Sequence, residues 1–257
     1  MTDIQLKALL DKEVAQRDKE GELCIDRPDP LLVASKHKDE YIALLCALFG
    51  YGKASLIVKF CDSLPFELLC ESEEKIKKEL ASLYYRFQNS NDVVAIFIAL
   101  SRLKKESTLN DIFVKHYKKE NNVLAGIEGT IKAIYEKYEY NSRGYQFLIG
   151  SIPKKDKYGV IKEIGNAPYK RWNMYLRWMV RKDTLDMGLW KGVDKSDLIL
   201  PLDTHTFNVS KRLGLLNRKT YDLKSALQVT DKLKEFDKND PIKYDFAIYR
   251  LGQEGLY

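Results

Sequence analysis

Apolar residues recur at helical spacing along almost the whole chain. Residues 2–16 carry Ile4, Leu6, Leu9, Leu10 and Val14 on one stripe, which predicts a helix with Thr2 or Asp3 as its N-cap. The segment 22–36 holds Pro28 and Pro30 and predicts an extended loop. Residues 39–50 are apolar nearly all round, the mark of a helix buried on most sides. After the break at Gly50 and Gly52, another helix is predicted over 53–61. Residues 91–105 open with a good cap and close on basic residues, which suits a helix dipole at both ends. Residues 108–118 and 122–138 continue the helical pattern, and no stretch alternates as a strand does. The fold class predicted is all-α with short loops.

The character changes at 150–182, GSIPKKDKYGVIKEIGNAPYKRWNMYLRWMVRK. A short helical turn is predicted to end near Gly165, followed by a tight Gly165-Asn166-Ala167-Pro168 connection. A second helix is predicted from about Tyr169 to about Lys182. Two short helices joined by a glycine-bearing turn make a hairpin, and such a turn aims backbone N–H groups at a phosphate. The second helix reads as amphipathic, with Tyr175 and Trp178 inside and the cations outside. Lys170 and Arg171 stand in its first turn, where the dipole disfavours cations. That placement points either to a small local cost or to an anion.

Downstream, an apolar strip from Leu198 to Leu202 leads into Asp203-Thr204-His205 and a helical pattern through Phe207, Val209 and Leu213. Lys211 and Arg212 fill the last turn and Gly214 stands at the C′ position. Asp203 therefore reads as an N-cap or as a carboxylate working at a helix N-terminus. The spacing makes a poor metal site. Residues two apart on a helix do not face each other, and no further ligands are spaced nearby.

Composition adds little constraint. The chain has 257 residues, enough for one large domain or two smaller lobes, and a formal charge of +6 that favours an anionic partner. Pairs such as Lys118-Lys119 and Lys154-Lys155 read as solvated faces. Cys24, Cys46, Cys61 and Cys70 form no CxxC and no zinc spacing with the three histidines, and read as reduced thiols. No apolar run follows a basic start and none reaches the length of a membrane span, so neither signal peptide nor membrane segment is expected, and a cytoplasmic location is.

Taken together, the hairpin leading to Lys170, then Leu202-Asp203-Thr204-His205 with Val209 and Arg212-Leu213-Gly214-Leu215, resembles the helix-hairpin-helix DNA glycosylase superfamily. The stretch 170–183, followed by Gly188-Leu189-Trp190, is similar to a bacterial branch that itself resembles the archaeal 8-oxoguanine glycosylases. The resemblance is concentrated in 150–215. It extends more weakly to PIKYDFAIYRLGQEG near the C-terminus and DEYIALLCALFGYGKAS near the N-terminus. Two features depart from the common pattern. Glu-Ile-Gly-Asn-Ala-Pro replaces the usual hairpin Leu-Pro-Gly-Val-Gly, and the gap between Lys170 and Asp203 is long. The long gap is a trait of the archaeal branch. No cysteine follows Cys70, so the iron–sulfur loop of the endonuclease III branch is absent.

The resemblance implies two helical lobes with a DNA cleft between them, one over 38–185 with the hairpin at 152–182, the other formed by 1–37 and 186–257. It implies Lys170 as the nucleophile at the sugar C1′ and Asp203 as the carboxylate that stabilises cationic character there. Met174 is expected on one face of the flipped base, with Asp245 and Tyr249 reading its edge and stacking on the other face. Lys154, Arg171, His205, Lys211 and Arg212 are expected at phosphates, giving salt-sensitive binding. The implied partner is double-stranded DNA containing an oxidised base, with no cofactor, no metal and no membrane, and the implied state is a monomer. Three alternatives stay open: a glycosylase for another damaged purine, a non-catalytic helical nucleic-acid-binding module, and a helical scaffold in which Lys170 does nothing.

Overall fold

The computed structural model describes residues 1–255. Among these residues there are thirteen α-helices and no strand, so the fold is all-α. No helix is long and apolar enough to cross a membrane. The chain divides into two compact units, one of residues Pro28–Pro153 and one that joins Met1–Arg27 to the chain from Lys154 onward. The second unit begins with α1 (Asp3–Arg17), whose Thr2 and Gln5 form a reciprocal capping box.

The Pro28–Pro153 unit holds α2 (Leu31–His37), α3 (Glu40–Leu48), α4 (Ala54–Asp62), α5 (Glu73–Glu79), α6 (Ser90–Glu106), α7 (Leu109–Glu120), α8 (Val123–Lys137) and α9 (Arg143–Ile149). The expected loop over 22–36 is thus helical from Leu31. Pro30 itself has helical φ and supplies no N–H that a helix start would miss, so the proline begins the helix. α3 and α6 are buried along almost their whole lengths, as the apolar runs require. α7 and α8 form a hairpin turned at Asn121, and Gly126 and Gly129 leave room for the Phe113 and His116 side chains.

The other unit completes itself with α10 (Lys170–Val180), α11 (Thr204–Arg212), α12 (Leu223–Phe236) and α13 (Asp245–Gln253). The boundary expected at 185 falls inside this unit. The physical reason is the burial of α10. Its Arg177 and Arg181 pair with Asp186, Asp240 and Asp245, and its Tyr175 meets Trp190 edge-on at 5.3 Å. α13 crosses α11 at Gly252, where a Cβ would stand 2.8 Å from a Val209 methyl.

Candidate functional site

The first helix expected of the hairpin is not formed. Residues 154–169 instead make a loop closed by an isolated antiparallel bridge between Lys155 and Ile161. The Asp156 carboxylate folds its tip by accepting N–H groups of Tyr158 and Val160 at 2.8 and 2.9 Å. Buried Asn166 ties the base. Its side-chain oxygen accepts the Lys154 N–H, and its amide donates to the carbonyls of Lys154 and Lys162. These local side-chain bonds offer the backbone an alternative to a helical turn. Leu223 and Lys224 at the start of α12 donate to the carbonyls of Asn166 and Glu163, so the loop is moored at both sides.

From this loop the chain enters α10 through Tyr169, which has left-handed φ of 50° without being glycine. Asn173 holds the entry by donating to the Pro168 carbonyl at 2.9 Å. Lys170 is therefore the first residue of the helix, half-buried, with its Nζ 3.5 Å from the Sδ of buried Met174. Asp203 is the N-cap of α11 and accepts the Thr206 N–H at 2.8 Å, which keeps its carboxylate at the positive end of that helix. Gly214 closes the same helix with φ of 78°. Next to Asp203, Tyr221 donates to the Leu202 carbonyl at 2.8 Å. Burial and the Asp203 charge push the Tyr221 hydroxyl up to about 12.

Asp245 opens α13 in a buried position and forms an ion pair with Arg177. Burial raises its carboxyl above the usual range against the pull of Arg177. The Asp203 carboxylate raises it further and the Lys170 ammonium lowers it. Both groups therefore lie within electrostatic reach of Asp245, and Lys170, Met174, Asp203 and Asp245 belong to one neighbourhood. Tyr249 follows Asp245 by one helical turn, half-buried, with its hydroxyl accepting from Gln253 at 2.8 Å.

The expected phosphate contacts are less concentrated. His205, Lys211 and Arg212 are exposed on α11, Arg171 is half-buried on α10, and Lys154 is exposed at the base of the loop. Among the described residues no group of three His, Cys, Asp or Glu is arranged to hold a metal ion.

The expectation of cations outside α10 is corrected for Arg177 and Arg181, which are 5% and 7% exposed. Arg177 bridges Asp186 and Asp245, while Arg181 reaches Asp186, Asp183 and Asp240. Burial pushes Asp186 up to about 6 in spite of both guanidiniums. The long segment after α10 thus has a structural task. It delivers Asp186 to the arginines, and Met187, Gly188 and Trp190 donate to the carbonyls of Trp178 and Met179 at the helix end. The sequence signal was two arginines one turn apart on an aromatic face, followed by Asp183 and Asp186. Tyr221 carried no local signal at all.

The model of a family described as Protein of unknown function (DUF2400) matches residues 29–254. No curated protein and no solved structure matches the chain.

Proposed function

The chain belongs to this DUF2400 family, and we propose that it is a base-excision DNA glycosylase that removes 8-oxoguanine and then cleaves the strand as a lyase. The observation that carries the reading is that Lys170 at the start of α10 and Asp203 at the start of α11 both lie within electrostatic reach of the buried Asp245. An amine and a carboxylate set at two helix starts, in a chain of net charge +6, suit a reaction on a polyanion that develops positive charge at carbon.

In the proposed reaction the damaged nucleotide leaves the stack. The unprotonated Lys170 amine attacks C1′, the C1′–N bond breaks, and its electron pair departs with the base, which takes up a proton. The Asp203 carboxylate faces the cationic sugar that develops meanwhile. Loss of the Lys170 nitrogen proton and opening of the sugar ring give a Schiff base. Removal of a C2′ proton then expels the 3′ phosphate. Met174 and Tyr249 are the proposed faces for the flipped base. Arg177 holds one oxygen of Asp245, and the other is proposed to read the base edge. Arg171, His205, Lys211, Arg212 and Lys154 are the proposed phosphate contacts. The protein is proposed to act as a monomer in the cytoplasm.

Borohydride trapping on a duplex carrying a single 8-oxoguanine tests this. Wild type is expected to form a covalent complex, Lys170→Gln none, and Asp203→Asn far less. Trapping on a different damaged purine alone would change the substrate. Absence of trapping on any lesion, with salt-sensitive DNA binding intact, would overturn the chemistry and leave a binding module.

A further inference from the structure

The Pro28–Pro153 unit carries an aromatic patch that the Lys170 chemistry does not use. Tyr85 and Gln88 exchange backbone hydrogen bonds of 3.0 and 2.9 Å, which closes a two-residue turn with Arg86 and Phe87 at its tip. The turn is rigidly founded. Buried Gln88 accepts from the Tyr51 hydroxyl and donates to the Gly144 carbonyl at 2.9 Å, and the Tyr85 hydroxyl donates to the Tyr51 carbonyl at 2.9 Å. The tip itself combines two unfavourable choices. Arg86 has a left-handed φ of 52°, where Gly or Asn would sit with less strain, and Phe87 is 63% exposed.

The exposed rings are ordered. Phe87 lies parallel to Tyr51 at 3° with centroids 6.0 Å apart, and Phe147, 44% exposed, meets them edge-on at 5.3 and 4.9 Å. The Arg86 guanidinium lies 5.7 and 5.6 Å from the Tyr51 and Phe87 centroids. Gly52 leaves the space for it, because a Cβ there would stand 2.6 Å from the Arg86 Nη1. The stretches that build the patch, 49–58, 82–92 and 141–150, contain Lys53, Arg86 and Arg143, and their one acid, Asp92, is buried with Ser142 donating to its carboxylate, so the exposed charge is cationic.

We propose that this turn is a second DNA contact, at which an unpaired base stacks on Phe87 while Arg86 and Arg143 meet the flanking phosphates. Flat apolar faces take a base of any identity, and cations beside them match the polyanionic strand. A guanidinium already set over two rings is placed to lie against both a base and a phosphate. The locked turn presents Phe87 without an ordering cost on binding.

The test uses the full chain and a short undamaged single strand carrying 2-aminopurine, so its outcome is independent of whether Schiff-base trapping succeeds. Anisotropy reads affinity, and 2-aminopurine quenching reads stacking. Phe87→Ser is expected to lower affinity about tenfold and to abolish quenching. Arg86→Gly is expected to weaken binding while raising Tm, because the left-handed conformation suits glycine. A Phe87→Ser affinity within about twofold of wild type, with quenching intact, would overturn the proposal. So would Phe87-dependent binding to phosphatidylserine vesicles with no Phe87 dependence on DNA, which would assign the patch to a lipid surface.

Discussion

Replacing Arg177 with Met removes the guanidinium that joins α10, the segment after it and α13, while a flexible apolar chain refills much of the stem's volume. Arg177 is 5% exposed, its Nε stands 3.1 Å from an Asp186 oxygen, and its Nη1 pairs with Asp245. Removing one partner of a buried ion pair costs about 3–5 kcal/mol, because the remaining charge stays buried. Asp186 retains Arg181, so most of the loss falls on Asp245. The penalty depends on pH with a definite sign. Asp186 is already raised to about 6 from 3.8, and Asp245 is raised as well. A carboxyl raised in the folded state weighs against folding above its folded pKa, and this weight disappears as pH falls to the unfolded value. At about 1.4 kcal/mol per unit, the Asp186 shift alone amounts to roughly 3 kcal/mol. Loss of Arg177 raises both carboxyls further, so acid relieves the variant more than wild type. Urea unfolding of both proteins is to be followed by tryptophan fluorescence. All three tryptophans, Trp172, Trp178 and Trp190, are buried in the unit that contains Arg177, so the signal reports that unit. The expected difference is about 3–5 kcal/mol near neutral pH and at most about half of that near pH 5. A difference below about 1 kcal/mol at neutral pH, or one unchanged by acid, would refute the account of a buried network under charge strain.

Substitutions at two further positions probe the helix that Asp203 caps. Asp203→Ala is expected to cost about 1 kcal/mol through the lost cap on the Thr206 N–H, whereas Asp203→Asn keeps the cap and its stability; urea midpoints for the pair separate the structural duty of Asp203 from its proposed chemical one. Gly252→Ala is expected to cost about 1–3 kcal/mol, because its Cβ would press within 2.8 Å of a Val209 methyl held in one rotamer by β-branching, and unchanged thermal unfolding would contradict that close crossing of α11 and α13.

Local order was legible wherever neighbours along the chain supply the physics. The helix starts at Thr2 and Asp203 are caps whose partners lie three residues on, α6 begins slightly earlier than the expected 91, at the cap Asn89, and the stop at Gly214 follows from glycine's freedom at positive φ. Helical periodicity marks α1 and α8, an apolar run marks α3, and a cap and basic end mark α6. The connection at 165–168 is legible in the sequence, but the short helical turn expected before Gly165 is not formed, because the bonds from Asn166 and the mooring to α12 outweigh a weak local helix propensity. α2 departs from the extended loop that Pro28 and Pro30 predict, because the fixed φ of Pro30 is itself helical and starts the helix.

What the sequence by itself determined is the all-helical class, most helix positions, and the placement of Lys170 and Asp203 each at the start of a helix, since periodicity, caps and the dipole act within a few residues. Only the tertiary structure decided that Lys170 and Asp203 both lie within electrostatic reach of Asp245, that Arg177 and Arg181 turn inward to Asp186, and that Phe87 stands exposed on a strained turn. Charge interactions and burial depend on distance in space. The cost of burying a charge is offset only by a partner that the fold delivers from far along the chain.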